Sequence, residues 1–404
     1  MHVFIITQYY PPEIGASASR WSDYIKILIQ QNHKVSVLCE APHYPNKEYF
    51  PGFSNAWLSR EEKSSNLTIF RTKAFASDRK SFLKKITHYF VFMISAILNF
   101  KRVKNYDLLI ISSPPLFTGI IGLVAKKFYK KKFWLDIRDL WPDSVYELGQ
   151  IKKGFLFKLS KNLERKIYDS AEGFIFPVPG FRKYLQSFSD IIAKKPMYDL
   201  MNGVSKDFID KYLSLPTSRS NIFTVLYSGN MGLAQDLETI IKAAEILKDY
   251  DINFTFIGQG VCKSKIISLA EPFKGKINFY DSVSREELVK YINKASVCIV
   301  PLKDRELFKS ALPSKMFEYM ACERPVIVGI KGEAKKLINN AKAGVAIEPE
   351  NPETLSKAIL TYYNNKNKCR IHGENGLRYV TSNLSKEVLI SKLISKLKSE
   401  QKTI

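Results

Sequence analysis

This chain predicts an α/β protein built from two Rossmann-like halves, and three observations carry that expectation. Continuous apolar runs of strand length (HVFIIT at 2–7, KVSVLC at 34–39, DLLIISS at 107–113, KFWLDI at 132–137) alternate with longer helical stretches, the pattern of a parallel sheet covered on both faces. The alternation restarts at Phe223, after a segment of linker composition, LSLPTSRSN at 213–221. At 404 residues the chain has room for two domains. The expected division is 1–200 for the first domain, 201–220 for a linker, 221–380 for the second domain and 381–404 for a final helix.

Composition is ordinary, with 45% hydrophobic and 25% charged residues, but the formal net charge of +23 is not. Such an excess attracts polyanions: nucleic acid, anionic lipid or phosphorylated substrates. Heavy Lys and Asn usage also fits an AT-rich genome. The five cysteines are odd in number and scattered, giving neither a disulfide framework nor a zinc pattern. Cys39 and Cys298 fall in apolar runs and read as small core residues. No metal cluster with ligand spacing and no cofactor motif is visible, and a cytoplasmic protein without a signal peptide is expected.

In chain order, 2–7 is the first strand, and the loop QYYPPEIGASASRW (8–21) leads into a helix and a second strand. Gly15 and its small neighbours suit close approach of the backbone to a ligand, or simply a turn. This loop is not a G-x-G-x-x-G dinucleotide fingerprint. Residues 41–66, rich in Pro, Tyr, Asn and charge, read as a long irregular excursion. From 79 to 132 the chain carries twelve Lys and Arg against Asp107 alone, around the uncharged stretch HYFVFMISAILNF (88–100). That stretch is too short to span a bilayer, which needs roughly 20 residues. An apolar helix flanked by cations suits the anionic membrane surface, and equally a buried helix with solvated ends. FWLDIRDLWPDS (133–144) closes a strand and enters a loop bearing Asp136, Asp139 and Asp143. A carboxylate at a strand's carboxyl end can take a proton from an acceptor hydroxyl; helix capping or pairing with Arg is the competing role for each.

The second half opens with a strand at 223–228 and GNMGLAQDLETIIKAAEIL (229–247); later strands fall at 252–257, 277–280, 297–301 and 325–328. Between the last two, Pro313 stands at the start of a helix carrying Ser314, Lys315 and Glu318. A hydroxyl and a cation at a helix N-terminus suit a diphosphate, and a carboxylate one turn deeper can accept hydrogen bonds from a ribose diol. The same spacing fits a capped amphipathic helix with a solvated Lys and Glu.

PSKMFEYMACERPVI (313–327) resembles the nucleotide-binding segment of the retaining GT-B glycosyltransferases of family 4, in a bacterial branch tied to O-antigen and capsule polysaccharide. Glu318 matches the second of that family's two glutamates. Ser310 stands where the first belongs, and Glu306 is out of register. The resemblance implies a GT-B fold, two Rossmann-like domains facing across a cleft. The second domain would bind a nucleoside-diphosphate sugar, UDP-linked, through Gly229, Asn230, Gln235, Asp281, Ser282, Val283, Pro313, Ser314, Lys315 and Glu318. Asn230 and Gln235 replace the family's diphosphate-binding Arg and Lys. In the first domain Gly15 and Ala16 would approach the diphosphate, and Arg138 stands where the family has a histidine, beside Asp139. Arg138, Asp139 and Lys315 are thus the expected catalytic residues, working without a metal.

The implied reaction moves a sugar, N-acetyl-L-fucosamine by closest resemblance, with retention onto a lipid-linked oligosaccharide at the inner face of the cytoplasmic membrane. Two other classes share some of these features. A GT-B-fold nucleotide-sugar epimerase would release free epimerised sugar nucleotide without an acceptor. A basic nucleic-acid-binding protein would need a known module, or aromatics interleaved with cations on one face, and neither is visible.

Overall fold

The apolar runs pair side by side into two sheets. The computed structural model describes residues 1–13, 16–43, 48–77, 82–147, 151–216 and 222–402. The chain divides into two units: Met1–Met201 together with the residues from Ile390 onward, and Asn202–Leu389.

In the first unit, β1 (His2–Ile6), β2 (Lys34–Glu40), β3 (Leu58–Ser64), β4 (Leu67–Thr72), β5 (Leu108–Ser113), β6 (Trp134–Ile137), β7 (Gly173–Phe176) and β8 (Met197–Asp199) form one sheet in the order β3-β4-β2-β1-β5-β6-β7-β8. Every residue of β5, β6 and β7 is buried, as expected of parallel strands covered on both faces. Only β3 runs antiparallel among the described strands, paired with β4. It lies in the stretch expected to be irregular. Its sequence, LSREEKS, has no apolar face because an edge strand pairs on one side only and stays solvated.

In the second unit β9 (Phe223–Ser228), β10 (Ile252–Ile257), β11 (Ile277–Tyr280), β12 (Val297–Pro301), β13 (Val326–Gly329) and β14 (Gly344–Ala346) run parallel in the order β11-β10-β9-β12-β13-β14. Val225 and Tyr227 of β9, Phe254 and Phe256 of β10, Ile299 of β12 and Ile327 of β13 share one buried core. Each sheet reverses its strand order once, at β1/β5 and at β9/β12. Outside the carboxyl ends of strands at such a reversal is where open α/β sheets bind ligands.

Residues 206–213, expected within a linker, form a helix instead. Ser205 Oγ accepts from Phe208 N–H at its start, and Phe208, Ile209 and Tyr212 are buried, an amphipathic pattern too short to stand out from its polar surroundings. The final helix is Lys386–Lys402, preceded by a π-helical turn at Val380–Leu384.

The apolar stretch 88–100 falls within the helix Phe82–Asn99 and its following turn. His88, Phe92, Met93, Ser95, Ala96 and Asn99 face inward, while Phe90, Ile94 and Leu98 line the outside with 46%, 40% and 60% of their surface exposed. Lys84 also faces out, whereas Arg79 and Lys80 lie outside the described residues. The helix Phe155–Ser170 likewise exposes Phe155, Leu156 and Leu159 at its start. Among the described residues no helix is long and apolar enough to cross a membrane.

Candidate functional site

In the second unit most of the residues expected to bind the donor gather around the β9/β12 reversal. Helix Ser314–Ala321 follows directly on Pro313, whose extended backbone ends the preceding loop. Tyr319, fully buried, anchors that helix to the end of β9: Ser228 N–H donates to Tyr319 Oη at 2.7 Å, and the two hydroxyls lie 2.9 Å apart. This places Lys315 Nζ 4.0 Å from the centroid of the Tyr227 ring, directly under Gly229. Gly229 has φ +119°, and a Cβ there would come within 2.9 Å of Lys315 Nζ. Glycine thus keeps the space above the ammonium open. Burial pulls the Lys315 ammonium down to about 7, with Glu318 opposing the shift.

Glu318 lies one turn deeper and is mostly covered. Arg285 Nη2 is 3.6 Å from its Oε1. Burial raises the Glu318 carboxyl, against the pull of Arg285, Lys386 and Lys315. Ser314 is exposed at the helix start. The two neutral amides at the family's cation positions brace their own loop: Gln235 Oε1 accepts from Gly232 N–H at 3.0 Å, and Asn230 Nδ2 borders the same glycine. Asp281 Oδ1 accepts from Gln259 Nε2 and Lys263 Nζ, and Lys263 also donates to Gly258 O at 3.0 Å and Tyr280 O at 3.3 Å. Asp281, Ser282 and Val283 therefore leave β11 with their first residue tied to the end of β10. Ser284 Oγ then accepts from Glu287 N–H, starting the helix Arg285–Lys294 and putting Arg285 in its first turn.

Lys263, Arg285 and Lys386 were not anticipated. The capping pattern Ser284-x-x-Glu287 was legible and put Arg285 at a helix start, but its partner Glu318 is more than thirty positions away. Glu306 pairs with Lys309 on an exposed turn rather than joining this group.

In the first unit the three candidate carboxylates have different surroundings. Asp136 is fully buried: Arg20 Nη2 reaches its Oδ1 at 2.8 Å, while Trp21 Nε1 at 2.9 Å and Ser112 Oγ at 2.7 Å reach its Oδ2. A carboxylate so enclosed serves the fold, not an incoming hydroxyl. Asp143 binds Lys161 at 3.0 Å and accepts from the Tyr184 hydroxyl. Asp139 is part-exposed, held in place by Leu140 N–H at 2.9 Å and Ser144 Oγ at 3.0 Å.

Arg138 N–H donates to Ser113 O at 2.7 Å, across the end of β5, and its guanidinium donates to Pro114 O. Burial lowers the Arg138 pKa, and its Nε is covered with no hydrogen-bond acceptor, the kind of orphan donor that an anionic or hydroxylic ligand satisfies. Gly15 lies outside the described residues. Ala16 opens the helix Ala16–Gln30.

Residues 216–379, most of the second unit, match the family described as Glycosyl transferases group 1. Glycosyl transfer is the activity class of that family. WcaI of Escherichia coli (strain K12), named for glycosyl transfer in colanic acid biosynthesis, is 24% identical over 390 residues, covering 89% of this chain and 91% of its own. WbjE of Pseudomonas aeruginosa, named as a glycosyltransferase, is 21% identical over 56% of this chain and 59% of its own. Among solved structures, sucrose-phosphate synthase from Thermosynechococcus elongatus superposes with a TM-score of 0.73 at 16% identity, covering 100% of both chains. Anabaena HepE, solved with UDP, gives 0.67 at 12% identity over 99% and 100%. The fold is GT-B, two parallel-sheet domains.

Proposed function

We propose that the protein transfers a sugar from a nucleoside-diphosphate donor, UDP-linked, to a lipid-linked oligosaccharide in surface-polysaccharide synthesis. The single observation that carries the donor half is the Lys315 ammonium held under Gly229 at a helix N-terminus, with Glu318 one turn deeper. Lys315 neutralises the leaving diphosphate, Glu318 grips the ribose diol, and the loop Asp281–Val283 receives the base. In the retaining route, the donor diphosphate itself takes the acceptor proton, so charge builds where Lys315 and the helix N–H groups already point. UDP is supported by HepE, solved with UDP, with UDP and glucose, and with UDP-glucose. The polysaccharide setting is supported by the names of WcaI and of WaaG, a glycosyltransferase involved in lipopolysaccharide biosynthesis.

On the acceptor side Arg138 and Asp139 orient the incoming hydroxyl. The cations of 79–132, together with exposed Phe90, Ile94 and Leu98, hold the first unit on the anionic inner face of the cytoplasmic membrane, where a lipid-linked acceptor resides. N-acetyl-L-fucosamine is the sugar that the resemblance favours. The epimerase and nucleic-acid readings are not favoured. The deciding experiment incubates the protein with a panel of UDP-sugars and a prenyl-diphosphate oligosaccharide. A glycolipid product with the donor's anomeric configuration by NMR supports the reading. Free epimerised sugar nucleotide with no glycolipid overturns it.

A further inference from the structure

A second cluster of chemistry-bearing side chains lies in the first unit, at the carboxyl ends of β1 and β2, and donor binding makes no use of it. Glu40 ends β2, His43 follows three residues later, and His88 reaches in from the helix Phe82–Asn99; all three are fully buried. One ligand atom from each lies within 4.8 Å of the other two. Glu40 Oε1 is 3.3 Å from His88 Nε2 and 3.8 Å from His43 Nδ1. Zinc held by two imidazoles and a carboxylate, with bonds of about 2.0–2.1 Å, sets its ligand atoms about 3.4 Å apart, so small side-chain movements suffice.

The surrounding groups are those that orient metal ligands. His88 Nδ1 faces Phe75 O at 2.9 Å, which puts the ring proton there and turns the Nε2 lone pair toward Glu40. Gln8 Nε2 donates to Glu40 Oε2 at 2.8 Å and lies 2.7 Å from His88 Nε2, and the Tyr9 hydroxyl is 3.3 Å from the same nitrogen. His88 Nε2 and Glu40 Oε1, 3.3 Å apart, are the pair that a bound cation would bridge. His43 Nδ1 lies near three oxygens: Ala41 O at 3.1 Å, Glu40 Oε1 at 3.8 Å and Glu13 Oε1 at 4.0 Å. Gln8 Oε1, also fully buried, has no hydrogen-bond donor.

We propose that Glu40, His43 and His88 bind a divalent transition-metal ion, zinc by ligand type, as a structural site of the first unit. Imidazole and carboxylate ligands select zinc and its neighbours over calcium or magnesium, and full burial marks a closed site with no role in the transfer step. Bound there, the ion ties together the end of β2, the loop that follows it, and the helix that carries Phe90 and Leu98. Glu13 adds to the same junction, accepting from Tyr10 N–H and His43 N–H, both at 3.2 Å. A buried site of this kind loads as the protein folds.

The test uses the full chain without an affinity tag, produced in zinc-supplemented medium and dialysed against a weak chelator. Elemental analysis is expected to find about one zinc per chain. Unfolding in a strong chelator and refolding without zinc should lower the melting temperature by several degrees, and refolding with zinc should restore it. His88→Ala and Glu40→Gln should lose the metal, while His372→Ala keeps it. Refolding with cobalt should give the intense visible absorption of a four-coordinate ion. If either variant fails to fold, the wild-type stoichiometry and the cobalt spectrum still decide. Less than a few tenths of an equivalent of zinc, no melting shift, or metal stripped by brief chelation without a shift would each overturn the proposal, leaving a hydrogen-bonded His–Glu network. UDP binding, which rests on the second unit, is unaffected by that outcome.

Discussion

Lys315 and Glu318 sit on one helical turn, and the proposed function gives them different work that their substitutions should separate. Glu318→Ala should weaken UDP by roughly 1.5–3 kcal/mol, the loss of a charged hydrogen bond, read by calorimetry. Lys315→Ala should cost more in single-turnover rate than in UDP affinity, because leaving-group charge grows toward the transition state. UDP bound to Glu318→Ala as tightly as to wild type would displace the ribose site. The buried ammonium also has a pH signature. Below about 7 Lys315 carries the charge that the diphosphate needs, and above it the free protein must first take up a proton. UDP affinity should therefore fall with rising pH, by up to about tenfold per unit, with the extra slope absent in Lys315→Gln. In the other unit Asp139→Asn keeps an acceptor for Leu140 N–H and a partner for Ser144, so the loop should hold while turnover drops by roughly 10²-fold. Near-normal turnover would leave Asp139 as a loop brace.

At the scale of elements, the helix Phe82–Asn99 resolves what the sequence left open between a core helix and a surface one, because it is both. Its inner face buries Phe92 and Ala96 and reaches the sheet where Ser95 Oγ donates to Thr72 Oγ1 at 3.1 Å, while Phe90, Ile94 and Leu98 recur every fourth residue on the outside. The exposed start of Phe155–Ser170 adds three more apolar side chains on the same unit. If this surface meets anionic lipid at about 1 kcal/mol per cation, changing Lys84, Lys85, Lys101 and Arg102 to Glu should lower vesicle partitioning by at least about 10³-fold. Co-sedimentation with phosphatidylglycerol vesicles measures it. Equal sedimentation of variant and wild type would remove the membrane from the proposal.

For the whole molecule, the last helix begins in the second unit, yet from Ile390 it belongs to the first. There Ile390, Leu393, Ile394 and Leu397 are buried, Gln31 Nε2 donates to Ser391 Oγ at 2.7 Å, and the Tyr198 hydroxyl donates to Glu400 at 2.7 Å. At about 1.5–3 kcal/mol for each buried aliphatic, ending the chain at Leu389 removes about 6–12 kcal/mol, as much as a domain's whole stability. Such a chain should show one melting transition in place of two, with the first unit's near-ultraviolet signal lost. Two transitions at wild-type temperatures would mean that this helix is dispensable.

Strand runs, the restart at Phe223 and the segment around Glu318 were legible because burial on both faces and a helix start impose local residue patterns. The α/β class and a helix at 314–321 follow from those patterns, while reading that helix as a donor site came from the family resemblance. What the sequence could not disclose are pairings between distant positions: Arg285 with Glu318, Asp136 enclosed by Arg20 and Trp21, and Glu40 and His43 with His88. Asp136, Asp139 and Asp143 look alike within one loop, and only their neighbours separate a buried brace from a part-exposed carboxylate. The charged edge strand β3 and the short helix Lys206–Leu213 were missed for the same reason. Their stability comes from pairing and burial against residues far along the chain, and no local periodicity records that.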